Sequence, residues 1–259
     1  MRKTVQLACV LGAALLLACG HTPAQSQSQQ GVSLELVLLV DVSASVNDEE
    51  YRLQALGLAE ALKNPAVVNA IESLATGGLA ICLVQWADET HQIKSIDWTV
   101  LRNRADAHGL ADKISSMERR IDGGHTALGD ALFFALNELN SHQYSGLRRV
   151  IDLSGDGRTN DGRSLYGTRK EVLKHGVTIN GLAILNELPL LADYFRNQLI
   201  GGQGAFVETA RDYSDFARAM GRKLERERRS APLADIAPPN TTGKSIMRVD
   251  LGAWSDLVR

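Results

Sequence analysis

Apolar residues follow two rhythms along this chain. Unbroken runs such as LVLLV at 36–40 and LAICLV at 79–84 have the continuity of strands covered on both faces. Stretches such as DEEYRLQALGLAEAL at 48–62 instead place Leu53, Leu56, Ala59 and Leu62 at helical intervals. Taken in order, the pattern predicts strands over 33–42, 79–86, 93–98, 149–153, 177–185 and 205–209. It predicts helices over 48–62, 101–117, 126–139, 163–174, 189–199 and 213–228. The strands at 79–86 and 93–98 are separated only by the turn-like ADETHQ, so they form a hairpin and place one antiparallel strand in the sheet. The other strands alternate with helices. The expected architecture is therefore α/β and doubly wound, a mostly parallel sheet with one antiparallel strand and helices on both faces.

The two ends depart from this rhythm. Arg2 and Lys3 precede an apolar stretch over 5–18, which is too short for a membrane span and has the layout of an export signal. Its end, Leu16-Leu17-Ala18-Cys19-Gly20, resembles a bacterial lipobox, which implies lipidation of Cys19; cleavage near Ala24 and soluble export is the alternative. The expected organisation is a signal segment over 1–19, a polar tether over 20–31, one domain over 32–229, and a Pro-containing, loosely ordered tail over 230–259. The expected location is the periplasm, as a lipoprotein anchored to the membrane through Cys19; the alternative is a soluble periplasmic or secreted protein.

Composition narrows the function. The chain has 28 basic and 30 acidic residues, and aromatics make up only 5%, so neither a basic nucleic-acid footprint nor a base-stacking surface is expected. Of three cysteines, Cys9 and Cys19 lie in the signal segment, leaving Cys82 within an apolar run as a core residue without a disulfide partner. No G-x-S-x-G elbow or zinc-type histidine spacing occurs, no Walker loop or dinucleotide-type glycine turn follows the first strand, and Ser43 stands where an aspartyl-phosphate enzyme would carry its second Asp. The chain is not expected to be an enzyme.

The strand at 33–42 ends in Asp41, followed by Ser43 and Ser45, and a charge at the end of so apolar a strand requires a partner. Two further loops fall on the same edge of the sheet: Gly123-Gly124-His125-Thr126 and Ser154-Gly155-Asp156-Gly157. Together the three loops bring carboxylates and hydroxyls with no soft ligand, a donor set for a hard divalent cation, Mg²⁺ before Mn²⁺ or Ca²⁺. Helix capping is the competing role for Ser45, with Asp48 three residues on, and for Thr126. His125 is expected at the rim, and Asp152, inside a strand, is expected to pair with Arg148 or Arg149.

DVSAS at 41–45, Thr126 in GGHTALGDAL and Asp156 in DLSGDG resemble the three-part metal-ion-dependent adhesion site of von Willebrand factor type A (VWA) domains, and the likeness spans roughly 33–228. The pattern is most similar to a proteobacterial subgroup of exported A-domain proteins. The resemblance implies a Rossmann-like fold. It also implies that Ser43 and Ser45 bind the metal directly, Thr126 directly or through water, and that Asp41 and Asp156 hold coordinated waters or bind it themselves. It leaves one coordination position for an Asp or Glu of a partner protein. The function expected is an exported, metal-dependent protein-binding module; the alternative is a structural envelope scaffold whose metal site is vestigial or purely stabilising.

Overall fold

A computed structural model describes residues 29–74 and 77–229. The expected signal segment with Cys19, most of the tether, and the tail over 230–259 lie outside the described residues. Six strands form one sheet: β1 (Gln30–Asp41), β2 (Leu79–Trp86), β3 (Gln92–Leu101), β4 (Tyr144–Gly155), β5 (Thr178–Ile184) and β6 (Val207–Ala210). Their order is β3-β2-β1-β4-β5-β6, and every pairing is parallel except β2 with β3. The expected doubly wound sheet with one antiparallel strand is therefore what the chain forms.

The period-two alternation of β1 shows why both faces are covered. Leu34, Leu36, Leu38 and Val40 enter one core, while Val37 and Leu39 enter the other. The first core is closed by α1 (Asp48–Lys63), α2 (Pro65–Glu72), α3 (Arg104–Ser115) and α7 (Phe216–Arg229). The second is closed by α4 (Leu128–Asn140), α5 (Leu165–Lys174) and the short α6 (Leu191–Tyr194). Cys82 is a fully buried member of the second core, and burial pushes its thiol pKa up. Among the described residues no helix is long and apolar enough to cross a membrane.

Several boundaries differ from the sequence pattern. The β1 strand starts at Gln30, inside the expected tether. Residues 101–103 are not helical: Leu101 closes β3, and α3 starts after Asn103, whose side chain caps it by accepting from the Asp106 amide at 3.0 Å. The helix α2 was not expected; Asn64 ends α1 and caps α2 by accepting from the Ala66 amide at 2.8 Å, with Pro65 in the first turn where its missing N–H is harmless. The expected helix over 189–199 is α6 followed by a π-helical turn over Phe195–Leu199.

Asp152 also departs from expectation. Arg148 is taken by Glu227 at 3.2 Å and Arg149 by Glu35 at 3.4 Å, so neither serves Asp152. Its partner is Lys223 of α7, and both side chains are buried. Glu227, one turn further on, accepts from Asn180 of β5 and from Arg148. A row of buried polar groups thus fastens α7 across β4 and β5. At its other end, α7 is preceded by a single 3₁₀ turn over Tyr213–Asp215. Asp212 caps this turn by accepting from the Asp215 amide at 3.0 Å. Asp215 accepts from the Arg211 amide at 3.1 Å and from Arg218 at 2.7 and 2.9 Å.

Removing one member of a buried ion pair strands the other charge, whereas replacing both with apolar groups does not. Lys223→Ala should therefore cost about 3–5 kcal/mol in urea unfolding, while Lys223→Met combined with Asp152→Leu should be about as stable as the wild type or more so. Equal losses in both proteins would show that the pair matters through packing rather than charge. The Arg218 guanidinium holds the Asp215 carboxyl down at about 2, below the ordinary 3.8. A depressed carboxylate stabilises the fold fully above its unfolded value and loses that contribution as pH falls through the folded one. The melting-temperature gap between wild type and Asp215→Asn should accordingly be constant above pH 3.8 and close towards about pH 2. A gap that persists unchanged at pH 2 would remove the electrostatic account.

Candidate metal centre

In a sheet of this order, β1 and β4 are adjacent, but the chain leaves them towards opposite edges, and the crevice at their carboxyl ends is where ligands bind in such folds. Asp41 ends β1 and Asp156 directly follows β4. All five sequence-derived residues gather around this crevice. Asp41, Ser43, Thr126 and Asp156 are buried, whereas Ser45 is exposed and opens the site to solvent. His125 is exposed at the rim, as expected.

The first loop is a turn closed on its own carboxylate. The Ser43 amide donates to Asp41 Oδ1 at 2.8 Å, which leaves the Ser43 and Ser45 hydroxyls side by side, 3.3 Å apart. Gln54 of α1 donates to the Asp41 carbonyl at 2.9 Å, and Val42 to the Trp86 carbonyl at 3.0 Å, so the loop is fastened to a helix and a strand. Arg119 donates to the Val42 carbonyl at 3.1 Å from outside. The second loop meets the first where the Ala44 amide donates to the Gly124 carbonyl at 2.9 Å. Gly123 and Gly124 have φ of +81° and +109°, in the left-handed region, and a Cβ on Gly124 would lie 2.7 Å from Asp88 Oδ2.

The third loop is tied to the second through Asn160. Its side chain accepts from the Thr126 amide at 2.8 Å and its own amide donates to the Thr126 carbonyl at 3.0 Å. Gly155 lets β4 end against Asp41: a Cβ there would lie 2.8 Å from Asp41 Oδ2. The Ser45 hydroxyl donates to Asp156 Oδ1 at 2.9 Å and the buried Tyr213 hydroxyl donates to Asp156 Oδ2 at 2.9 Å.

Neither hydroxyl is engaged in capping. The box that opens α1 is formed by Asn47 and Glu50, and α4 starts after Ala127 with no side-chain cap, so Ser45 and Thr126 are free of that role. Gln54, Asn160, Arg119 and Tyr213 went unread in the sequence. Asn160 had a weak signal in its place beside the Asp156 loop, but the others carry no local pattern that distinguishes them.

Electrostatically the crevice is short of positive charge. Burial first, and the neighbouring Asp156 carboxylate second, push the Asp41 carboxyl up to about 7. Burial and the same two carboxylates push the Tyr213 phenol up as well. Asp41 Oδ2 is buried and accepts no hydrogen bond from the described residues. Two carboxylates, one with a spare buried oxygen, and three oxygen-bearing hydroxyls fit a hard divalent cation. Among the described residues no three His, Cys, Asp or Glu side chains cluster as a metal site, because most donors here are hydroxyls.

Solved structures share this fold. A proximal thread matrix protein 1 from the mussel byssus, whose metal-ion-dependent adhesion motif holds zinc, aligns with a TM-score of 0.55 at 17% identity, over 78% of this chain and 49% of that one. The chain thus spans about half the length of the mussel protein. The von Willebrand factor domain of the type V pilus tip protein Mfa5 from Porphyromonas gingivalis aligns with a TM-score of 0.55 at 13% identity, over 77% of this chain and 96% of that one. The pilus adhesin SpaC from Lactobacillus rhamnosus GG aligns with a TM-score of 0.52 at 14% identity, over 79% of this chain and 31% of that one. At such identities the likeness is one of fold, that of VWA domains. No curated protein matches the chain. A family model covers residues 31–232, and the chain belongs to that family, described as "Protein of unknown function (DUF1194)".

Proposed function

We propose that the chain is an exported, metal-dependent protein-binding module that takes an Asp or Glu side chain of a partner protein at the crevice between β1 and β4. The observation that carries this reading is the buried, undonated Asp41 oxygen beside a second carboxylate and two adjacent serine hydroxyls. Ser43 and Ser45 would hold a divalent cation through their hydroxyl oxygens, with Thr126, Asp41 and Asp156 completing the set directly or through water. The bound cation, Mg²⁺ before Mn²⁺ or Ca²⁺, would supply a Lewis-acidic position open to an incoming carboxylate. Ser45, the exposed member, marks the side from which the partner approaches. The hydroxyls and carboxylates of this set serve as metal donors in this reading, so recognition rather than turnover is the activity proposed. Fold neighbours that are a pilus tip protein and a pilus adhesin support an adhesive role. Export to the periplasm with Cys19 as the lipid attachment point belongs to the same reading, and the mass of the mature N-terminus tests it.

The test is calorimetric titration of Mg²⁺ and Mn²⁺ into the full chain, with Asp41→Asn and Asp156→Ala as controls. Saturable binding should weaken by about 10–100-fold in both variants. At 100 times its dissociation constant the metal should add about 2.7 kcal/mol to wild-type stability and raise the melting temperature by roughly 5–10 °C. Without metal, Asp41→Asn should melt no lower than the wild type, because it keeps the acceptor for Ser43 and removes a buried charge next to Asp156. Folded protein that binds neither metal would favour the envelope-scaffold reading.

A further inference from the structure

The Asp156 carboxylate receives one hydroxyl on each oxygen, Ser45 on Oδ1 and Tyr213 on Oδ2, both at 2.9 Å. A serine hydroxyl has one hydrogen, and Ser45 gives it to Asp156. The lone pairs of Ser45 Oγ are thereby turned away from Asp156, and Ser43 Oγ lies 3.3 Å from the same oxygen. Asp156 therefore orients a hydroxyl, and it can do so only while its own rotation is fixed. Tyr213 supplies that fixation. A phenol is a donor at neutral pH, its ring is buried, and its backbone sits in the 3₁₀ turn held by Asp212, Asp215 and Arg218.

The geometry points to Tyr213 as a positioning residue of the metal centre, one that sets the site's fit for a small cation by fixing Asp156 and, through it, Ser45. This rests on the metal-binding reading above. Outer-shell partners of metal ligands are worth about 10–100-fold in affinity. Mg²⁺ demands near-ideal octahedral geometry, whereas Ca²⁺ accepts irregular, larger sites. Loosening Asp156 should therefore penalise Mg²⁺ more than Ca²⁺. A tyrosine that merely satisfies a buried carboxylate would lower stability without changing that preference.

The experiment measures Mg²⁺ and Ca²⁺ dissociation constants by calorimetry, and melting temperatures with and without metal, for the full-length wild type, Asp41→Asn, Tyr213→Phe and Arg218→Ala. Tyr213→Phe keeps the ring and removes only the hydroxyl. It should raise the Mg²⁺ constant about 10–100-fold and the Ca²⁺ constant by less, so the Mg²⁺ preference shrinks. Arg218→Ala, which loosens the turn from outside the crevice, should shift the preference in the same direction, and it decides the matter if Tyr213→Phe does not fold. Metal constants unchanged in both variants, or raised equally for both cations, would overturn the role of Tyr213 while leaving the metal site intact. A wild type that binds metal no better than Asp41→Asn would overturn the metal-binding reading, and this inference with it.

Discussion

Two carboxylates stand at the ends of adjacent parallel strands, buried and repelling each other, and the loops around them are arranged to hold them there. Asp41 is fixed by the amide of its own turn and Asp156 by two hydroxyls, while the oxygen of Asp41 that faces Gly155 is left without a donor. Such an arrangement opposes folding locally, since each buried charge disfavours the other. It persists because the surrounding structure over-determines it: Gln54 from α1, Trp86 from β2 and Asn160 from the third loop each fasten the backbone that carries the site.

The sheet contributes the rest. Central strands covered on both faces are mostly apolar along their length, and polar residues there such as Asp152 and Asn180 are spent on holding α7, so the groups left to meet a ligand lie at the strand ends. Where the chain leaves β1 and β4 in opposite directions, two strand ends lie side by side, and three separate loops can reach one point. The last helix among the described residues meets this point too. Tyr213 touches Asp156 at the front of α7, while Lys223 and Glu227 secure its back half to β4 and β5.

Much of this was legible in the sequence for a physical reason. The continuous apolar runs at 36–40 and 79–84 and the alternation of strand and helix report burial, which is a local property of each segment, so sheet and layers could be read. The five crevice residues were legible because Asp41, Ser43 and Ser45 share one turn and the other loops carry glycines beside Thr126 and Asp156. What stayed hidden was pairing across distance. Nothing near Asp152 announces Lys223, and nothing near Tyr213 announces a carboxylate 57 residues before it. The start of α3 was misplaced because the apolar Leu101, which closes β3, reads equally as the first helical position, and only the Asn103 cap marks where the helix begins.

The flanks of the sheet have a consequence of their own. Among the described residues β3 and β6 are the terminal strands; β6 has only four residues, and β3 is partly exposed nearly throughout and breaks register twice against β2. Lys94 and Asp97 place charges of both signs along β3. Short, irregular and charged borders are poor templates for a foreign strand. Many copies crowded together would therefore resist fusing into shared sheets.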